Sequence, residues 1–181
     1  MNAIGFVELN SIAKGYETAD AALKTSDIRL LSCHAGCPGK FYFLFKGYTS
    51  AVDMALKTAV SVGEGSVVDN TIIANVHEDV FKAMSMTTDV KLAGALGVME
   101  FFSVTAAIYA ADSAAKAADV KLVEIRTGYG IGGKSYVTMT GSVSAVNAAV
   151  SAGINNDSSM GNVVYGTVIP NPDPSLMETL Y

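Results

Sequence analysis

The sequence has no tryptophan, only two histidines and two cysteines, and few charged side chains. Charged residues make up 16% of the 181 residues, the formal net charge is -5, and lysine and arginine form no cluster. The missing basic cluster argues against nucleic acid as a partner, because proteins that bind it neutralise phosphates with lysine and arginine. Cys33 and Cys37 lie too close together for a secreted disulfide framework. A reducing cytoplasm is therefore the expected location.

Membrane insertion is also not expected. The N-terminal stretch MNAIGFVELN contains Glu8 and lacks the basic region of a secretory signal peptide. The uncharged stretch Ser135–Asn156 is long enough to span a bilayer, but it is rich in serine, threonine, asparagine and glycine. What the chain does have is apolar and small: half its residues are hydrophobic and 17 are glycine. Such a chain can bury a sizeable core.

The chain repeats itself. At an offset of 92 residues, nine of the thirty positions from Gly5 to His34 are identical in the second half. The offset becomes 94 at Gly39-Lys40, which matches Gly133-Lys134, and 96 near the end of each half. Both changes of offset fall where loops are predicted, and loops tolerate insertions. The sequence therefore predicts a tandem duplication.

Hydrophobic periodicity predicts the same order of elements in both halves. In the first half we expect strands at 3–9, 27–32, 41–46 and 67–74, and helices at 11–24, 50–62 and 78–84. In the second half we expect strands at 95–101, 121–126, 135–140 and 162–169, and helices at 104–117 and 144–152. Glycines predict loops at 34–39 and 127–133. The fold class is α/β (α+β): two split β-α-β-β-α-β, ferredoxin-like domains at 1–88 and 93–181, joined by a linker at 85–92, each an antiparallel sheet with helices on one face.

An ordered set of motifs recurs in both halves. It comprises Gly5-x-x-Glu8, Asp20-x-x-x-Lys24, Asp27, Gly39-Lys40 and Gly47-x-x-Ser50-Ala-Val. In this order and in duplicate, the set resembles the bacterial microcompartment shell domain, and two copies resemble the tandem-domain class. The resemblance implies a non-enzymatic shell protein, a homotrimer that mimics a hexamer and tiles into a sheet with other shell proteins.

The family resemblance also assigns positions. It implies pore loops formed by Ala35, Gly36, Cys37, Pro38 and Gly39 in the first domain and by Gly130, Ile131 and Gly132 in the second. It implies contacts between oligomers at Lys24, Lys116, Asn75 and Asn171. The asparagines stand where the family often has arginine, in Ala-Asn-Val-His and Pro-Asn-Pro-Asp. We therefore expect the geometry or strength of this edge contact to differ.

The runs Ser11–Gly15 and Cys37–Lys40 resemble the iron–sulfur-bearing tandem shell proteins associated with propanediol utilisation. This resemblance implies that Cys37 is a metal ligand. One iron–sulfur cluster, of the 4Fe-4S type, would lie on the threefold axis of each trimer and could be absent from purified protein. Its role would be electron transfer across the shell, with an encapsulated redox enzyme as a further partner. Such clusters usually take four thiolates, so three copies of Cys37 would leave one iron for an outside ligand.

Two other functions remain open from the sequence. Cys37 could line a pore that conducts a small polar metabolite, without a cluster. A small-molecule-binding regulator of split βαβ type is the alternative from another class.

Other candidate residues have simpler interpretations. We expect Cys33 to be a packed cysteine and His34 and His77 to be ordinary surface histidines, since neither histidine has a second ligand at helical spacing. The glycine loop Gly128–Gly133 leads into a strand, which excludes a nucleotide-binding motif.

Overall fold

The computed structural model describes residues 3–90, 94–128 and 130–180. They form two compact units, the first ending at Val76 and the second beginning at His77. Lys91 and Leu92 of the predicted linker, Ala93 at the predicted start of the second domain, and Tyr129 of the second loop lie outside the described residues.

The first unit contains four strands and two α-helices. Their bounds are β1 (Ala3–Leu9), α1 (Ile12–Thr25), β2 (Ile28–Gly36), β3 (Lys40–Gly47), α2 (Thr49–Gly63) and β4 (Val67–Ile73). A 3-10 turn, Glu64–Ser66, connects α2 to β4. The strands pair antiparallel in the order β2-β3-β1-β4.

The second unit repeats this plan. Its bounds are α3 (Glu78–Met84), β5 (Ala95–Phe101), α4 (Val104–Ala117), β6 (Val120–Thr127), β7 (Ser135–Gly141), α5 (Val143–Ile154), β8 (Val163–Ile169) and α6 (Pro174–Met177). Its sheet order is β6-β7-β5-β8, also antiparallel. In both units the third strand lies between the first two, which is the split βαβ arrangement. The predicted fold class is confirmed.

The core of the first unit lies between the sheet and its two helices. The Ser11 side chain caps α1 by accepting a hydrogen bond from the Lys14 N–H at 3.3 Å. The helix then presents small residues, such as Gly15 and Ala19, to the sheet. Opposite them stand the buried rings of Phe41, Phe43 and Phe45 on β3. Small residues on the helix therefore leave room for large ones on the strand.

Two features differ from the sequence-based expectation. Strand β2 runs on to Gly36, so three residues predicted in a loop pair with β3 instead: His34 with Tyr42, Ala35 with Phe41 and Gly36 with Lys40. The hydrogen-bonded ladder extends them although glycine is weakly strand-forming. Helix α3, predicted to close the first domain, belongs to the second compact unit, where it packs against β6 and α4. The physical reason is Asp112 on α4, whose Oδ1 accepts a hydrogen bond from the His77 N–H at 2.8 Å, just before α3.

Candidate pore hairpin and oligomer surfaces

Cys37 lies at the tip of the tight hairpin between β2 and β3. Gly36 pairs with Lys40, and the Gly39 N–H donates to the Gly36 carbonyl at 2.9 Å, which closes the turn. Gly39 has φ +87°, a conformation that favours glycine. The Cys37 thiol is free and exposed. The five predicted loop residues from Ala35 to Gly39 are thus brought together at one tip.

Tyr42 supports this tip from below. Its hydroxyl donates a hydrogen bond to the Cys37 carbonyl at 3.2 Å, and the side chain is only 1% exposed. The ring stacks on Phe6 at 6.2 Å between centroids. A Cβ added to Gly36 would lie 2.8 Å from Tyr42 Cδ2 and closer still to Cε2. The glycine is therefore required where the ring passes beneath the strand.

The surroundings of Tyr42 are polar as well as buried. Burial, followed by the negative charge of Glu8, raises the pKa of Tyr42 to about 12, so the hydroxyl keeps its proton at neutral pH. Glu8 lies opposite Tyr42 in the β1–β3 register and forms an ion pair with Lys40 at the base of the hairpin. The sheet end beneath Cys37 is thus fixed by an ion pair and a hydrogen bond.

The second unit has an equivalent hairpin with different chemistry. Glu100 and Lys134 repeat the ion pair at 2.9 Å. Tyr136, the repeat equivalent of Tyr42, donates instead to Glu124 at 2.9 Å, and Glu124 also pairs with Arg126 at 2.6 Å. Burial, followed by the hydrogen bond to Glu124 and the charge of that residue, raises the pKa of Tyr136. The tyrosine hydroxyl of this half therefore bonds to a side chain on β6 and not to the loop backbone.

Backbone geometry shapes the loop that follows β6. Gly130 and Gly132 have φ +74° and +67°, and the Lys134 N–H donates to the Ile131 carbonyl at 3.3 Å. The structure places Gly130, Ile131 and Gly132 together in this turn, at the position equivalent to the Cys37 tip. It holds no cysteine.

The other candidate ligands lie elsewhere. Cys33 is half-buried against the core of the first unit, and this burial raises the pKa of its thiol. The His34 ring shares a hydrogen bond with Ser32 at 2.9 Å, and His77 caps α3 by accepting a hydrogen bond from the Asp79 N–H at 3.3 Å. Within the three described ranges, no group of three or more His, Cys, Asp or Glu side chains could hold a metal ion. A cluster on Cys37 would therefore need other copies of the chain.

The predicted edge residues occupy separate elements. Lys24 forms an exposed ion pair with Asp20 at 2.5 Å near the end of α1. Lys116 forms the equivalent pair with the buried Asp112, also at 2.5 Å. Asn75 follows β4 with φ +53°, a conformation that asparagine tolerates, and is exposed, as is Asn171 after β8.

The sheet faces without helices differ between the halves. In the first unit, Phe6 and Leu44 on this face are fully buried. Their repeat equivalents, Val98 and Thr138, are smaller or more polar and line a cavity of about 690 Å³ in the second unit. Lys134 and Leu176 also border it. Sequence reasoning missed Tyr42, Tyr136 and this face, although the tyrosines match at the offset of 94 that the repeat revealed.

Comparison with known proteins identifies the family. The BMC domain matches twice, at residues 3–76 and 95–172. The chain is 42% identical over 174 residues to the bacterial microcompartment shell protein PduT of Citrobacter freundii, covering 96% of this chain and 95% of the relative. A crystal structure of a microcompartment protein from Desulfitobacterium hafniense DCB superposes with a TM-score of 0.93 at 45% identity, covering 97% of this chain and 98% of the other.

A second solved structure, the fused permuted hexameric shell protein MSM0275 from the RMM microcompartment, superposes with a TM-score of 0.61 at 26% identity, covering 83% of this chain and 80% of the other. The chain belongs to the BMC-domain family, with two such domains in tandem. It is a structural shell protein of a bacterial microcompartment and not an enzyme, as the family resemblance implied. No helix among the described residues is both long and apolar enough to cross a membrane.

Proposed function

We propose that three copies of this chain form a ring-shaped shell tile that carries an iron–sulfur cluster on Cys37 at its centre. The observation that carries the proposal is the exposed, free thiol at the tip of a supported hairpin. Kinship with a PduT shell protein adds to it.

The residues at the tip suit such a group. Thiolate is the preferred ligand of iron–sulfur clusters. Cys37 offers one per chain, and Gly36 directly before it adds no side chain. A cluster would supply one-electron transfer when bound. This chain would contribute the thiolate and the hairpin that directs it, and an encapsulated redox enzyme is the proposed electron partner.

Two surfaces support a ring. Along one flank of α1, Ile12, Tyr16 and Leu23 are 41%, 59% and 38% exposed. On α4, the equivalents Val104 and Ile108 are 1% and 0% exposed.

The sheet faces show the opposite difference: Phe6 and Leu44 are fully buried in the first unit, whereas the same face of the second unit borders a cavity. Each unit thus leaves accessible a surface whose counterpart in the other unit is buried: the α1 flank in the first unit, and the cavity on the helix-free face in the second. We infer that the α1 flank of one copy packs on the helix-free face of the second unit in the next copy. Such head-to-tail contacts close into rings, and three copies of a two-domain chain would form the homotrimer.

The ring is tested by measuring molar mass in solution. Wild-type protein should have the mass of a trimer, and Tyr16→Glu should shift it to the monomer because the new charge would be buried at the contact. Met54→Glu, which changes an exposed methionine on α2, serves as the matched control and should stay trimeric. A monomeric wild type would refute the ring.

The cluster is tested by anaerobic purification or reconstitution, followed by iron and sulfide analysis and a visible spectrum. Cys37→Ser should lose the iron and the colour while keeping the trimer. Cys33→Ser, the matched control, should keep both. A wild-type protein that stays colourless and iron-free after reconstitution would refute the proposed cluster. The metabolite pore lined by Cys37 would then be the function to test.

Contacts between trimers are proposed at Lys24, Lys116, Asn75 and Asn171, with other shell proteins as further partners. Lys24 is the more accessible lysine, since its side chain is 73% exposed and that of Lys116 is 44% exposed. Replacing both lysines by alanine should abolish sheets in electron micrographs and leave trimers intact. Unaltered sheets would show that the contacts between trimers do not depend on these two lysines.

A further inference from the structure

The tyrosine beneath the hairpin has a role that its repeat equivalent lacks. Tyr42 and Tyr136 occupy the same sheet position, each opposite the glutamate of the central strand. Tyr42 donates to the backbone of the tip at 3.2 Å, whereas Tyr136 donates to the Glu124 side chain at 2.9 Å. The residue equivalent to Glu124 in the first half is Ser32, whose hydroxyl is bonded to His34. Tyr42 has no carboxylate competitor at that position and is directed to the Cys37 carbonyl.

The ring of Tyr42 is held on several sides. It stacks on Phe6, lies 5.8 Å from the His34 ring, and fills the space that a side chain at Gly36 would need. A buried ring with this much contact has little freedom, so its hydroxyl is a fixed point. The hydrogen bond it makes transfers that rigidity to the peptide of Cys37.

We propose that Tyr42 is the positioning residue for Cys37: it fixes the direction in which the thiol leaves the hairpin, so that copies of the chain present their thiols to one another. This inference rests on the proposed function, because it assigns a purpose to the convergence of Cys37 from several copies. Tyr42 touches no cluster and acts through the backbone of the ligand residue.

The test uses metal-free trimeric protein and the variant Tyr42→Phe, which keeps the ring and removes only the hydroxyl. Two quantities are measured. The first is hydrogen exchange of the Gly39 amide, which donates to the Gly36 carbonyl across the turn. The second is the rate of crosslinking between copies at Cys37 with a short bis-maleimide. Tyr136→Phe is the matched control, because it removes the equivalent hydroxyl from the half without a cysteine.

Tyr42→Phe should accelerate Gly39 exchange about two- to tenfold, the range expected for losing one hydrogen bond, and slow crosslinking by a comparable factor. Tyr136→Phe should change neither. Gly36→Ala, which displaces the Tyr42 ring, should reproduce the Tyr42→Phe result. Unchanged exchange, or faster exchange with unchanged crosslinking, overturns the positioning role.

A failed ring can be told apart from a failed positioning role. Wild-type protein that does not crosslink at Cys37 contradicts the proposed convergence of thiols, and with it the positioning role assigned here. Wild-type protein that crosslinks equally well with and without the Tyr42 hydroxyl leaves the ring intact and contradicts only the role of Tyr42.

Discussion

The substitution Gly15→Ala has two opposite effects on stability, because alanine favours the helix while its methyl group would overpack the core. Gly15 lies in the interior of α1, where alanine is favoured over glycine by about 1 kcal/mol. A Cβ at this position would lie 2.7 Å from Phe41 Cβ and closer still to its ring. Phe41 is fully buried, and its ring centroid lies 4.7 Å from that of Tyr16 and 6.5 Å from that of Phe43. The Phe41 ring therefore has no space into which it can move.

Overpacking of a filled core costs about 1–3 kcal/mol, and a contact this short belongs at the upper end. After subtracting the propensity gain of about 1 kcal/mol, Gly15→Ala should destabilise the protein by about 1–2 kcal/mol. The second half is consistent with this reasoning, because the repeat equivalents of Gly15 and Phe41 are Ala107 and Ser135. The halves have thus diverged: one has the smallest residue paired with a large ring, and the other has two small residues.

The assay is urea unfolding followed by circular dichroism. The midpoint should fall for Gly15→Ala and stay nearly constant for Gly65→Ala, the control, whose added Cβ would meet no atom within 4 Å. Phe41→Leu makes room for the new methyl group, so the double variant should be less destabilised than the sum of the single ones, with a coupling energy of about 0.5–3 kcal/mol. A raised midpoint for Gly15→Ala would show that propensity outweighs packing and refute the argument.

Two further predictions concern buried polar groups. Asp112→Ala should lower the free energy of unfolding by about 1–3 kcal/mol, because it leaves the His77 N–H without its acceptor and Lys116 without its ion pair. The control Asp20→Ala, on the exposed surface, should lower it by less than about 0.5 kcal/mol, and thermal unfolding measures both. The raised pKa of Tyr42 also predicts a stability contribution that is complete well below pH 10. It is lost as pH rises towards 12, by roughly 3 kcal/mol at most, because the unfolded tyrosine releases its proton first. Urea midpoints at pH 9 and 11 should therefore fall less for Tyr42→Phe than for wild type, and equal falls would contradict the raised pKa.

Much of the fold could be predicted from the sequence because the duplication supplies two readings of one pattern. The offset of 92 aligns Glu8 with Glu100, and the offset of 94 aligns Tyr42 with Tyr136. The structure places each glutamate opposite its tyrosine in the same register. Periodicity locates helices and strands within each half, since it reflects which face is buried.

Other features depend on contacts that a linear pattern does not contain. The extension of β2 to Gly36 comes from pairing with β3, which overrides the local preference of glycine for turns. The place of α3 depends on an acceptor thirty-five residues away, at Asp112. The bond from Tyr42 to the Cys37 carbonyl depends on ring orientation, which only the packed neighbours determine.

In the proposed trimer, divergence between the halves would explain how a ring of six domains carries a threefold site. Six identical domains would place six cysteines at the centre, with six identical supports. In this chain one half has Cys37 on a hairpin supported by Tyr42, and the other has a glycine turn whose tyrosine is held by Glu124. The difference at the position of Ser32 and Glu124 thus accompanies a different partner for the tyrosine hydroxyl, while the strand order of the sheet is the same. Because the ion pair at the base of the hairpin persists in both halves, the scaffold stays common while the chemistry at the tip is free to differ.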